Sequence, residues 1–326
     1  MWRLIPRPAM RTTSTSKSYV GRFAPSPTGP LHFGSLVAAV ASYCDAKAHA
    51  GKWLLRMEDL DKPREAPGAA DTILRQLEVF GFEWDDEVIY QSKRDSFYAE
   101  ALNHLHNQAL IYPCTCTRKE IAASSNAQGI EGLIYAKTCQ PKFNQKQNTP
   151  QASIHAAYRA IVLDKNVTFL DAIQGSITQN LARDVGDFIV KRADGLFAYQ
   201  LAVVVDDAAQ GVTHIVRGAD LLDSTPRQIY LQQKLNFDTP HYAHVPIATN
   251  NAGEKLSKQC RAEAIDISSE THSRFAASQL LEALRFLGQQ PPPAIKNAAL
   301  AEIWLWAIAN WKQDCVPKQR KIMVNI

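Results

Sequence analysis

The chain has 326 residues, of which 46% are hydrophobic and 21% charged, and its formal net charge is +4. That length buries a large core and has room for two domains. The composition is that of an ordinary soluble globular enzyme. The charge is too small to argue for nucleic-acid binding by itself, and no apolar run is long enough to span a bilayer.

Residues 1–18 are basic, Ser/Thr-rich and free of acids. That composition is like an organelle transit peptide, but no amphipathic apolar stripe is evident. A disordered extension, or a true start at Met10, is the expectation, and signal-peptide character is absent. Residues 19–23 read as a short apolar strand entering a Pro/Gly-rich loop. A helix follows over about 34–49, where Ala38, Ala39, Ala41 and Ala46 allow close packing on a sheet. Residues 53–57 lack alternation and read as a strand buried on both faces. Helical spacing follows at Ile73, Leu74, Leu77 and Phe80, and again at Tyr98, Ala101, Leu102, Leu105 and Ala109. Strand–helix alternation of this kind implies a parallel sheet with right-handed crossovers.

The pattern then changes. Residues 114–139 are polar and loop-like, and 140–153 read as a flexible surface connection. Short strands are expected over 158–163, 167–170 and 173–178. Asp194-Gly195 predicts a hairpin turn between strands 188–191 and 196–199. The α/β pattern returns with a helix near 200–208, a strand over 212–216, a helix opened by Ser224-Thr225-Pro226, and a strand over 242–247. Two helical patterns close the chain, about 272–287 and 298–311, split by Pro291-Pro292-Pro293. The expected division is a disordered 1–18, a first catalytic half over 19–110, an insertion over 111–190, a second catalytic half over 191–260, and a short helical region over 261–326.

Two segments carry phosphate chemistry. His32-Phe33-Gly34-Ser35 follows a strand and a tight turn and opens a helix. A helix start offers free N–H groups and the positive end of a dipole. Gly34 permits close approach, and His32 can donate to a phosphate oxygen. Lys255-Leu256-Ser257-Lys258 follows Gly253 on a loop. Its two lysines can close over a triphosphate and neutralise charge developing during displacement. Singly, a structural histidine and a solvated basic loop are the commoner explanations. Together the segments read as an ATP site that activates a carboxylate.

The cysteines are Cys44, Cys114, Cys116, Cys139, Cys260 and Cys315, too uneven for a secreted disulfide framework. A reducing cytoplasm is the better reading. Cys114-x-Cys116 with Tyr135-x₃-Cys139 is the metal candidate. Two or three thiolates favour Zn²⁺ in a closed tetrahedral site, although C-x-C and a tyrosine ligand are less typical. Spacing alone leaves zinc and a metal-free cluster equally open. Cys44, Cys260 and Cys315 read as inert.

At these residues the chain resembles the class I aminoacyl-tRNA synthetases, whose signatures HIGH and KMSKS appear here as His32-Phe33-Gly34-Ser35 and Lys255-Leu256-Ser257-Lys258-Gln259. More narrowly, 22–29 (RFAPSPTG), 56–61 (RMEDLD) and the stretch from Asp187 through Asp206-Asp207 to Leu221 are similar to the glutamate branch. The likeness covers roughly 19–290. It implies a Rossmann-like doubly wound parallel sheet with an inserted zinc-containing α+β subdomain. It also assigns Arg22, Phe23, Ala24, Pro25, Ser26, Glu58, Tyr199 and Arg217 to an L-glutamate pocket. The two arginines would hold carboxylates and Glu58 the ammonium. His32, Gly34, Ser35, Lys255 and Lys258 would bind ATP with Mg²⁺, with His32 and Lys258 catalytic and Ser35 in a minor role. Cys114, Cys116, Tyr135 and Cys139 would hold one structural Zn²⁺.

A full glutamyl-tRNA synthetase carries a large helical anticodon-reading domain, whereas only residues 259–326 follow Lys258 here. This matches the truncated glutamyl-queuosine tRNA(Asp) synthetase family. The resemblance implies glutamyl adenylate formation without tRNA. Glutamate then passes to the cyclopentenediol of queuosine in the anticodon stem-loop of tRNA(Asp). A cytoplasmic monomer with no membrane association is expected. The rival readings are a glutamyl-tRNA synthetase charging an acceptor end, a nucleotidylyltransferase on the same sheet, and a non-catalytic zinc and RNA-binding module.

Overall fold

The computed structural model describes residues 18–125, 127–130, 132–140, 156–250, 252–254 and 272–324. The Lys255-Leu256-Ser257-Lys258 segment, expected to bind ATP, most of the 140–153 connection and residues 1–17 lie outside them.

Two parallel runs of strand meet in the middle of the molecule. On one side β1 (Val20–Phe23), β2 (Lys52–Met57) and β3 (Ile89–Tyr90) pair in that order, all parallel. On the other side β11 (His214–Gly218) pairs parallel with β12 (His241–Val245). β1 and β11 lie side by side. The Thr213 N–H donates to the Val20 carbonyl at 2.9 Å, and the Val20 N–H donates to Thr213 Oγ1 at 2.9 Å. The sequence therefore builds outward in opposite directions from β1 and β11. In open α/β sheets, such a switch point leaves a crevice beyond the strands' carboxyl ends where ligands bind.

Helix α1 (Phe33–Ala48) covers this seam. Its Ala39, Ala41 and Ala46 are fully buried, which lets the helix backbone sit close to β1 and β11. Beneath α1, Trp53 of β2 stacks with Phe82 and meets Tyr43 edge-on, and Trp304 closes the group against Tyr43 and Phe82. Trp304 comes from α9 (Leu300–Asn310), which packs with α8 (His272–Phe286) against α1. Two indole N–H groups pin this region. Trp304 Nε1 donates to the Phe80 carbonyl at 2.7 Å, and Trp311 Nε1 to Asp45 at 2.9 Å. The two helices thus complete the catalytic core. Both stand where helical spacing predicts them, with the prolines between. The helices α2 (Ala69–Val79), α3 (Asp95–Asn107), α6 (Tyr199–Ala209) and α7 (Thr225–Leu235) also form where helices are expected, although Phe80 and Ala109 fall just past the ends of α2 and α3.

Between α3 and α6 the chain forms β4 (Ile111–Cys114), β7 (Ala157–Ala160) and β10 (Phe188–Lys191), an antiparallel sheet with β7 in the centre. A small hairpin, β5 (Gln128–Gly129) and β6 (Gly132–Leu133), stands beside α5 (Leu181–Asp184). By contrast, β8 (Asn166–Asp171) and β9 (Gly175–Asn180) extend the parallel sheet, with Asp171 of β8 paired to Tyr242 of β12.

Three local expectations are corrected. The 114–139 stretch is not all loop. It contains α4 (Arg118–Ser124), started by a reciprocal capping box in which Thr117 and Glu120 satisfy each other's backbone N–H groups. The predicted strand over 196–199 shrinks to a single bridge between Lys191 and Phe197, because Tyr199 already opens α6. The strand over 242–247 is split at Pro246, which has no N–H to continue a ladder. Its second part, β13 (Ile247–Thr249), pairs instead with β14 (Lys321–Met323). No described helix is long and apolar enough to cross a membrane.

Candidate active site

A cavity of about 680 Å³ opens over the carboxyl ends of β1 and β11. It is lined by Arg22, Phe23, Ala24, Pro25, Ser26, His32, Gly34, Ser35, Glu58, Tyr199 and Arg217 together. Every described residue expected to bind glutamate or ATP therefore faces one space. Lys255 and Lys258 lie outside the described residues.

The two arginines are each one residue from a strand end and are held differently. Arg22 is 3% exposed, and its Nε donates to Asp207 at 3.2 Å. The same Asp207 oxygen accepts from Arg56 Nη2 at 2.8 Å. Burial alone would raise the Asp207 carboxyl, but the two guanidinium groups hold it below the usual range. Glu58 is not paired with Arg22. Its nearest cation is Arg56 at 3.6 Å, and its Oε1 is buried with no hydrogen-bond partner among the described residues. A structural Arg22–Glu58 ion pair is thereby ruled out. Burial pushes the Glu58 carboxyl up to about 7, against the pull of Arg56 and Arg22.

Arg217 is gripped from three sides. Its Nε donates to His244 Nε2 at 3.0 Å, and its Nη2 donates to Thr225 Oγ1 and Gln228 Oε1, both at 2.8 Å. Its Nη1 is buried without a partner among the described residues. A guanidinium has no acceptor, so His244 Nε2 must accept, and the ring proton sits on Nδ1. That Nδ1 donates to Asp171 at 2.6 Å. Burial, reinforced by Arg217, lowers His244 to about 4 despite Asp171, so the ring is neutral at physiological pH.

The loop between β1 and α1 is tied to the next strand. The Glu58 N–H donates to the Pro25 carbonyl at 3.0 Å, and the Ala66 N–H to the Pro27 carbonyl at 3.1 Å. This brings Ser26 beside Glu58. Across the cavity, Tyr199 is the first residue of α6. Burial, then the Glu58 charge, pushes its hydroxyl up to about 12, so it stays a hydrogen-bond donor. At the other end, His32 is the N-cap of α1, with Nδ1 accepting from the Ser35 N–H at 3.3 Å. With Nδ1 accepting, the ring proton sits on Nε2. The N–H groups of Phe33 and Gly34 have no backbone acceptor among the described residues.

Sequence reasoning passed over several residues here. Arg56, Asp206 and Asp207 lay inside quoted motifs but carried no assigned role. Asp206 accepts from Gln91, Arg94 and Tyr98, at 2.8, 2.6 and 2.8 Å. His244, Asp171, Thr225 and Gln228 gave no separate signal, because their value lies in contacts between neighbouring strands and between β11 and α7.

The cysteine cluster stands apart, at the end of β4. The sulfurs of Cys114, Cys116 and Cys139 lie within 4.8 Å of one another. Tyr135 Oη is 3.4 Å from both Cys114 and Cys116 and accepts the Cys139 N–H at 3.0 Å. Although burial opposes it, hydrogen bonding from Tyr135 and its neighbours brings the Cys139 thiol down to about 7. Four Zn–S bonds of about 2.3 Å in a tetrahedron set sulfurs about 3.8 Å apart. Cys116 and Cys139 are already 3.5 Å apart. The three sulfurs are close enough together to share one metal ion.

A family model described as tRNA synthetases class I (E and Q), catalytic domain, matches residues 19–305. The glutamyl-Q tRNA(Asp) synthetase of Dechloromonas aromatica (strain RCB) is 55% identical over 307 residues, covering 94% of this chain and 98% of that protein. The chain belongs to the glutamyl-Q tRNA(Asp) synthetase family. It is an enzyme, a ligase of the class I aminoacyl-tRNA synthetase type. A further family member, from Neisseria meningitidis serogroup B (strain ATCC BAA-335 / MC58), is 54% identical over 301 residues, covering 92% of this chain and 98% of its own. In fold, the chain is similar to a glutamate tRNA ligase from Elizabethkingia meningosepticum CCUG26117, crystallised with its amino acid. The TM-score is 0.73 at 22% identity, and the match covers 93% of this chain and 66% of that one.

Proposed function

We propose that this enzyme activates L-glutamate with ATP, without tRNA, and transfers the glutamyl group to the cyclopentenediol of queuosine in tRNA(Asp). The observation that carries the reading is the pocket's set of unmet polar groups. Arg217 Nη1 and Glu58 Oε1 are both buried without a hydrogen-bond partner among the described residues, Glu58 Oε1 having only the Arg56 guanidinium at 3.6 Å, and both residues line one cavity with Arg22. A ligand bearing carboxylate and ammonium satisfies them together, whereas an amide in place of the side-chain carboxylate leaves a guanidinium uncompensated.

In this reading the glutamate α-carboxylate attacks the α-phosphorus of ATP, and pyrophosphate leaves. His32 Nε2–H and the N–H groups of Phe33 and Gly34 hold phosphate oxygens at the start of α1. Lys255 and Lys258 would approach from the other side. When bound with ATP, Mg²⁺ would supply charge neutralisation at the leaving pyrophosphate. The second step uses a hydroxyl of the acceptor ring. Its oxygen bonds to the anhydride carbonyl carbon, the bond from that carbon to the phosphate oxygen breaks, and AMP leaves with the electron pair. The hydroxyl proton passes to the departing phosphate or to solvent.

We assign Cys114, Cys116, Tyr135 and Cys139 to one structural Zn²⁺, supported by the convergence of their donor atoms. It would hold the stretch between α3 and α6 as a unit that meets RNA. The reading is tested with purified enzyme, ATP, radiolabelled glutamate, and tRNA from cells able or unable to make queuosine. Glutamate-dependent ATP–pyrophosphate exchange without tRNA is expected, together with label only on the queuosine-containing tRNA. Label on the acceptor end of tRNA(Glu) would overturn it.

A further inference from the structure

A second cavity, of about 730 Å³, adjoins the first and shares Ser26, Thr28, Glu58, Arg64 and Tyr199 with it. Glu58 and Tyr199 therefore stand in a common wall. If the glutamyl adenylate fills the first cavity, an attacking hydroxyl reaches it from the second. The inference that follows rests on that reading of the reaction.

The walls of the second cavity are chemically mixed. Leu60, Ile189, Leu196 and Phe197 give it apolar faces, suited to the flat sides of a nucleobase. Asp61 is already engaged, accepting from Arg64 Nε at 2.6 Å and from Arg192 Nη1 at 3.3 Å. Glu65 is not. Its Oε1 is buried and has no hydrogen-bond partner among the described residues. Burial, with Asp59 and Asp61 close by, also pushes its carboxyl up. Such an oxygen is costly until a donor meets it. At the rim stands Arg118, the first residue of α4, exposed and with no hydrogen bond or ion pair among the described residues. It belongs to the segment that carries the cysteine cluster.

One unmet acceptor inside and one unmet cation at the rim describe a ligand with donors at one end and an anion at the other. A nucleotide whose base bears a hydroxylated ring has that layout. We propose that this second cavity is the acceptor-nucleotide site. Glu65 takes hydrogen bonds from the ring hydroxyls, and Arg118 contacts a neighbouring backbone phosphate. Glu65 thereby selects a hydroxyl-bearing base, and Arg118 couples the cysteine-cluster segment to RNA binding.

The test compares two rates in the same preparation: glutamate-dependent pyrophosphate exchange and glutamyl transfer to queuosine-containing tRNA(Asp). Glu65→Ala should lower the ratio of transfer to exchange at least about tenfold. Glu65→Gln, which keeps one acceptor oxygen, should fall between it and the parent enzyme, and it replaces the alanine variant if that fails to fold. Arg118→Ala should raise the KM for tRNA and reduce the salt slope of binding by roughly one counterion. A transfer-to-exchange ratio unchanged in the Glu65 variants, or exchange lost as fully as transfer, would place Glu65 elsewhere and overturn the proposal. If the parent enzyme exchanges but labels no queuosine-containing tRNA, the functional reading itself fails, whatever the variants do.

Discussion

The proposed role of Glu58 ties substrate binding to pH. Its carboxyl is pushed up to about 7, and in the proposed pocket the ammonium of glutamate would prefer the ionised form. Affinity should therefore fall as pH drops below about 7, by up to roughly tenfold in KM per pH unit. Glu58→Gln should flatten that profile, and a parent KM constant from pH 5.5 to 8 would remove Glu58 from the pocket. The stability linkage has a definite sign. Between the ordinary value of 4.5 and about 7, the folded chain holds a proton that the unfolded chain releases. Stability from this group is therefore full below the lower value and is lost as pH rises to the upper one. Arg217 is the second residue-scale test. In the proposed pocket, Arg217→Ala would remove a charge-assisted contact and leave the substrate carboxylate unmatched. It should raise the KM for glutamate on the order of 10²-fold in the exchange assay, with the KM for ATP little changed. Both residues were singled out from sequence, since motif strings at predicted strand ends carried them. Their unmet atoms were not, because an orphaned oxygen or N–H is a property of packing.

At the scale of elements, the informative unit is three neighbouring strands acting as a clamp. Asp171 of β8, His244 of β12 and Arg217 of β11 form one chain of hydrogen bonds across the sheet, at 2.6 and 3.0 Å. Asp171 also accepts the N–H groups of Ile173, Gln174 and His244, so its position is fixed by backbone. Burial would raise the Asp171 carboxyl, but the His244 contact and these N–H groups keep it low. His244 and Asp171 are positioning residues. Asp171→Asn can donate to Nδ1 and turn Nε2 into a donor facing Arg217. Glutamate KM should then rise about tenfold with a smaller change in kcat. His244→Gln, whose carbonyl can still accept from Arg217, should recover part of the loss that His244→Ala shows. Equal KM in all three variants would reduce the relay to packing. Helix α6 does comparable work from the other side, presenting Asp206 and Asp207 to Arg94, Arg56 and Arg22. The paired acids were visible in the sequence. Their partners were not, since Arg22 and Asp207 are far apart along the chain and meet only in the folded sheet.

At the scale of the whole molecule, the cysteine cluster and the C-terminal helices decide which parts work independently. The cluster sits on β4 and the loop after β6, remote in sequence from His32 and Arg217. Removing the proposed Zn²⁺ from it should leave the proposed glutamate pocket intact. Cys116→Ser, or treatment with a strong zinc chelator, should lower zinc content well below one per chain. It should also depress transfer to tRNA about tenfold or more while exchange persists. Exchange lost in step with zinc would show that the cluster supports the catalytic core directly. The helices α8 and α9 behave in the opposite way. Trp304 lies in the same aromatic group as Trp53 and Tyr43, so these helices are part of the core beneath α1.

The sequence by itself determined the alternation of strands and helices, the helix start at His32 and the clustering of thiols. These depend on short-range periodicity, capping and spacing, which neighbouring residues express locally. The tertiary structure decided where β8 and β9 dock and that Glu58 stands free of Arg22. It also decided which nitrogen of His244 carries the proton, and that two cavities share a wall. Those outcomes depend on competition among distant partners for one buried donor or acceptor, and the ordering of residues along a chain does not encode who wins that competition in any local signal.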